Sequence, residues 1–61
     1  MKTWNETTKT LPEEGVVVLT KIEDQHGCRN EQLLKRKSNL WFFPNGLMYV
    51  YYTPTHWRVL T

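Results

Sequence analysis

Two stretches of the chain are dense in apolar side chains, and polar or turn-forming residues separate them. The first, Val16-Val17-Val18-Leu19-Thr20-Lys21-Ile22, is β-branched almost throughout and apolar on both sides in its first half, the pattern of a central strand. An uncharged run such as Val16 to Leu19 is an aggregation hazard on an open edge, which again argues for a central place. The second stretch runs from Leu40 to Trp57 and holds every aromatic residue of the protein except Trp4.

Within the second stretch, Phe43-Pro44-Asn45-Gly46-Leu47 predicts a hairpin turn. Proline presets φ at the first central position of a type I turn, asparagine tolerates the second, and Gly46 takes the left-handed position that follows. A plain Asn-Gly turn is the rival, and it suits the chain less because Pro44 has no N–H for the closing pair. The three-residue loop pairs Phe43 with Leu47, Phe42 with Met48, Trp41 with Tyr49 and Leu40 with Val50. Period-two alternation then puts Trp41, Phe43, Leu47, Tyr49 and Tyr51 on one face, and Leu40, Phe42, Met48, Val50 and Tyr52 on the other. Both faces are apolar, whereas a hairpin with one wet side alternates apolar and polar. Either the sheet curls on itself or a partner covers one face.

The rest reads as shorter elements. Residues 1–10 form a polar arm that Trp4 anchors on the core, and Leu11-Pro12-Glu13-Glu14-Gly15 is a turn with Pro12 at its first central position. Glu23 to Gly27 is a polar loop. Residues 30–37 are open between helix, with Asn30 as N-cap, and strand. Barely two turns of helix are marginal alone, and the flanking Gly27 and Ser38-Asn39 have the length of hairpin turns, which favours strand. Pro54 breaks the ladder after Tyr52, and His56 to Leu60 is a last short strand with Trp57 and Val59 on one face. The expected fold is an all-β antiparallel meander of four to five short strands, near 16–22, 29–37, 40–43, 47–52 and 56–60, curled as an open barrel.

Trp4, Leu11-Pro12-Glu13-Glu14-Gly15, Val18-Leu19, Trp41 and the closing Thr55-His56-Trp57 with Leu60 occur in an order that resembles the family known as domain of unknown function 551. Its members are small proteins and domains common in phage and prophage genomes. The resemblance spans nearly the whole length, with its specific part at the two ends. Many members continue as Trp-Met-Pro-Leu-Pro, where this chain has Trp57-Arg58-Val59-Leu60-Thr61. The resemblance implies a small β fold and a phage setting, and it brings no activity with it.

Size and charge narrow the function. At 61 residues the chain is a single domain that buries only about 60% of its unfolded surface. Its one cysteine, Cys28, allows no internal disulfide, so oligomerisation is the expected staple, most simply as a homodimer. A net charge of +2 permits phosphate contact without arguing for it. The first residues have no apolar core of a signal peptide, and no apolar run approaches the ~20 residues of a membrane span. With one thiol and no export signal, the expectation is the host cytoplasm.

Candidate chemistry is sparse. His26, Cys28 and His56 lack the convergent spacing of a zinc site, and Cys28 with His56 and Asp24 or Asn30 is a thiol constellation that nothing in the spacing selects. No metal, cofactor or catalytic residue is expected. Lys35-Arg36-Lys37 places Lys35 and Lys37 on one face of a strand and Arg36 on the other. Beside Tyr49, Tyr51 or Tyr52 they would form a charged stacking surface for nucleotide or single-stranded nucleic acid, and otherwise a solvated edge. His56 and Arg58 share a face of the last strand, where they read either as rim or as contact surface. The leading expectation is a non-catalytic, phage-type accessory protein. It binds, and modulates or inhibits, a host protein or defence system through an apolar-aromatic sheet face. The alternative is nucleotide or single-stranded nucleic-acid binding.

Overall fold

The computed structural model describes residues 4–60. Five strands form one open antiparallel sheet: β1 (Asn5–Glu6), β2 (Val17–Asp24), β3 (Gly27–Lys37), β4 (Leu40–Phe42) and β5 (His56–Arg58). Their order across the sheet is β1-β5-β2-β3-β4, so β2, β3 and β4 meander while β5 returns to the far side of β2. The β-branched run is central, as its composition predicts. Residues 30–37 belong to β3 and not to a helix. No described residue is helical, and no helix is long and apolar enough to cross a membrane.

Turn chemistry sets the connections. Ser38 and Asn39 join β3 to β4 with φ of 53° and 69°, the two positive values that a type I′ hairpin turn requires. Gln25 and His26 join β2 to β3, and Asp24 Oδ1 accepts the His26 N–H at 2.8 Å. The turn before β2 falls two residues later than Pro12 predicts: Val16 N–H donates to the Glu13 carbonyl at 3.2 Å, with Gly15 at φ 83°. Thr20 faces Gln32 while Ile22 faces Arg29, so Lys21 opposes both Asn30 and Glu31. This bulge in β3 puts Asn30 in the left-handed region at φ 55°.

Two sequence expectations are corrected. Residues 47–52 do not form a strand; a single bridge, Phe42 to Tyr49, with one backbone hydrogen bond on either side is what pairs there. The turn is built from Pro44, Asn45 and Gly46 as expected, with Gly46 N–H donating to Phe43 O at 2.8 Å and φ 76° at Gly46. Leu47 joins the loop, its N–H donating to Asn45 Oδ1 at 2.9 Å, and the closing pair becomes Phe43 with Met48. That extra residue moves the register by one. The polar arm also contributes a strand, since Asn5 and Glu6 pair with Trp57 and His56.

The register sorts the side chains into two unlike faces. On the first, Val18 and Leu34 are fully buried and Trp41 nearly so, and Phe43, Val50 and Trp57 pack against them. The loops at 7–16 and 50–55 close over this face. The Trp57 indole N–H donates to Thr10 O at 3.0 Å, Thr7 Oγ1 donates to Pro54 O at 2.8 Å, and Gln32 Nε2 bonds the Tyr52 hydroxyl. Pro12 and Pro54 are buried with them. Thr20 is fully buried and its hydroxyl donates to Gln32 O at 2.9 Å, so its polarity is satisfied inside the sheet. The second face carries Val17, Leu19, Leu33, Phe42 and Tyr49, and none of these is buried.

Candidate interaction surface

The candidate surface begins where the hairpin leaves the sheet. Phe43 N–H donates to Met48 O and Val50 N–H donates to Trp41 O, each at 2.9 Å, which closes the ladder on either side of the Phe42–Tyr49 pair. Beyond Val50 the chain turns away over the first face. Leu47, Met48 and Tyr51 are left standing at the β4 edge, with Leu47 81% and Tyr51 94% exposed. The rings there support one another: Tyr49 meets Phe42 edge-on at 5.8 Å between centroids and Tyr51 at 5.7 Å.

Among the residues singled out by sequence, the structure brings Lys35, Tyr49 and Tyr51 onto this side. Lys35 pairs with Phe42, which pairs with Tyr49, so the three form one cross-strand row on the second face. Lys35 Nζ lies close to Gly46, 3.4 Å from where a β-carbon on that residue would sit. Lys37 is on the same face, opposite Leu40, and is exposed. Arg36 is not part of the group. It lies on the first face opposite Trp41 and donates from Nη2 to Asn39 Oδ1 at 2.9 Å. Tyr52 is also on the first side, bonded to Gln32.

His56 and Arg58 occupy the opposite flank of the second face, in a cluster that the sequence did not foreshadow. Trp4 does not reach the core. Its ring lies under two cations, Lys21 Nζ at 4.3 Å and the Arg58 guanidinium at 5.2 Å from the centroid. Lys21 is only 9% exposed and pairs with Glu23 at 2.7 Å. That hydrogen bond raises the Lys21 ammonium above its ordinary range and lowers the Glu23 carboxyl. Cys28 Sγ is 3.9 Å from Lys21 Nζ, and the thiol is exposed. Thr55 joins the cluster to the sheet. Its hydroxyl accepts from Glu23 N–H at 2.8 Å, donates to Lys21 O at 3.3 Å and lies 2.8 Å from His56 Nδ1. Thr55 and His56 are thus fixed as a clip between β2 and β5. A threonine beside a proline break was the available signal for Thr55, and an alternating strand position was the signal for Lys21.

No enclosed pocket is found among the described residues, and no group of three or more histidine, cysteine or carboxylate side chains converges there. The described surface carries rings and apolar side chains at one edge and paired charges at the other. Comparisons with family models, with curated proteins and with solved structures find no match for the chain.

Proposed function

We propose that this chain is a non-catalytic binding protein whose partner docks on the aromatic edge formed by Leu47, Met48, Tyr49 and Tyr51. The observation that carries the reading is the exposure of Leu47 and Tyr51 beside two edge-on ring contacts, an apolar group that no part of the described chain covers. Rigid rings with few rotatable bonds lose little entropy on docking, which is why they recur as interface anchors. The resemblance to a phage family suggests the setting, in which the partner is a host protein of the cytoplasm that the bound chain modulates or inhibits.

The test is capture from host lysate on the immobilised intact protein, at low and high salt, with Leu47→Asp and Tyr51→Ala as controls. A protein retained at both salt concentrations and lost with either variant supports the reading. Equal retention by the variants refutes it. The row of Lys35, Phe42 and Tyr49 with nearby Lys37 supports a second reading, a nucleotide or single-stranded nucleic-acid ligand stacked on the tyrosines. There the affinity for a labelled oligonucleotide falls steeply with salt and drops with Lys37→Glu. Salt-insensitive binding, or none, removes it.

A further inference from the structure

No aspartate or glutamate follows Glu31 in the sequence, so the hairpin that builds the aromatic edge contains no carboxylate side chain. Lys35 and Lys37 stand beside it on the second face, opposite Phe42 and Leu40. Lys35 begins the row that runs through Phe42 to Tyr49, and its ammonium reaches the turn at Gly46. Ion pairs among the described residues join Lys9 to Glu6, Lys21 to Glu23 and Arg29 to Asp24, so neither Lys35 nor Lys37 has a carboxylate at pairing distance. The other cations of this face, Lys21 and Arg58, are at the opposite flank over Trp4. Acids border the lysine pair on two sides. Glu31 is on the same face four residues before Lys35 in β3, about 13 Å away at the rise of a strand. Glu13 and Glu14 belong to the turn that Gly15 N–H ties to Arg36 O, across β3 from β4. Taking the aromatic edge as the docking surface proposed above, we infer that its partner is an acidic stretch of a protein chain, with an apolar side chain as anchor and carboxylates beside it.

The rings and Leu47 supply the apolar contact, and the two ammonium groups at its border lack partners of opposite charge. A segment carrying carboxylates next to its anchor supplies them, while a basic segment meets like charge there. Glu31, Glu13 and Glu14 repel the same segment from the rest of β3 and confine it to the β4 side. Leu47 and Met48 favour a protein over a nucleic acid. Bases stack on rings, and these two aliphatic side chains, 81% and 64% exposed, offer no stacking face but suit an apolar side chain. Rim charges act mainly on the rate of association, so retention at high salt through the apolar anchor is compatible with an acidic partner.

Selection of displayed random peptides on the immobilised intact protein tests the inference, with a random single-stranded oligonucleotide pool in parallel. The retained peptides are expected to combine an aromatic or aliphatic residue with neighbouring aspartates or glutamates. Synthetic versions of them should associate about tenfold more slowly with Lys35→Glu or with Lys37→Glu. Lys37 is exposed, so its variant is expected to keep the parent's strand spectrum by circular dichroism even if the Lys35 variant does not. The same selection on Lys37→Glu should lose the acidic bias. Peptides with an apolar anchor and the charge distribution of the starting library overturn the acidic partner and leave the aromatic edge standing. Peptides that bind Leu47→Asp and Tyr51→Ala as well as they bind the parent overturn the docking surface itself. Enrichment of an oligonucleotide in place of acidic peptides, or of neither, also overturns the inference.

Discussion

Leu33 and Leu34 are neighbours in sequence with identical side chains, yet they face opposite sides of the sheet. Leu34 is fully buried against Val18 and Trp41, while Leu33 is 40% exposed. Truncating a buried leucine to alanine costs ~2–5 kcal/mol, because the lost transfer free energy adds to that of the cavity left behind. In so small a core the walls can partly collapse, so Leu34→Ala is placed at about 3 kcal/mol. A chain of 61 residues has a total stability on the order of 3–9 kcal/mol, so this one change removes a third or more of it. At ~4–8 °C per kcal/mol for a domain of this size, the midpoint of thermal unfolding falls by about 12–24 °C. Leu33→Ala removes the same atoms from a site where much of the side chain already meets water, and it should cost about 1 kcal/mol. Circular dichroism on heating measures both, at a concentration where sedimentation reports the monomer. A Leu33→Ala loss equal to or larger than that of Leu34→Ala would show that the two faces are assigned the wrong way round.

Thr55→Val removes a hydroxyl that Glu23 N–H, Lys21 O and His56 all use. The urea midpoint should correspond to a loss of about 1–3 kcal/mol, and Thr55→Ser should retain most of the stability. Ser38→Gly relieves a positive φ of 53° at the first position of the β3–β4 turn and should raise stability by about 0.5 kcal/mol, read by the same titration. Trp4→Ala removes the ring beneath Lys21 and Arg58, with an expected loss of about 0.5–2 kcal/mol, of which Trp4→Phe restores part. Lys21 lowers the Glu23 carboxyl, while the His26 N–H and then Arg29 lower that of Asp24. A lowered folded-state pKa contributes stability that is present above the unfolded value, about 4, and is lost as pH falls through the folded value. The urea midpoint should therefore drop from pH 5 toward acid, and Glu23→Gln should flatten that drop.

The strands with a decisive local signal were legible: β2 from its β-branched run, the β3–β4 turn from Ser38-Asn39, and the chain reversal at Pro44 from its turn residues. What escaped was set by interactions distant in sequence. Asn5 and Glu6 are too polar and too few to announce a strand, and they become one because β5 offers them an edge. Trp4 reads as a core anchor from hydrophobicity alone. Lys21 of β2 and Arg58 of β5 share the second face and both stand over its ring, and a cation-flanked indole is satisfied at the surface. Of the eight residues read as contact candidates, strand alternation already separated Arg36 from Lys35 and Lys37. It likewise separated Tyr52 from Tyr49 and Tyr51, and the true loop length was needed only to say which β4 residues share a face with each.

That loop length decides how the aromatic wealth of the chain is divided. With three loop residues, Trp41 and Phe43 would share a face with Tyr49 and Tyr51, and the paired hairpin would run on to residue 52. One more residue lies in the loop, where Leu47 N–H donates to Asn45 Oδ1. Trp41 and Phe43 then share their face with Val50 and close the core, while Phe42, Tyr49 and Tyr51 fall on the other side. A period-two lattice admits no intermediate arrangement, so the length of this loop separates the rings that close the core from those left exposed. Asn45→Ala is the direct probe of that division. If the bond selects the register, its loss should change the tyrosine exposure reported by fluorescence quenching while the strand content stays constant. Unchanged quenching would mean that core packing of Trp41, Phe43 and Val50 selects the register without help from the turn.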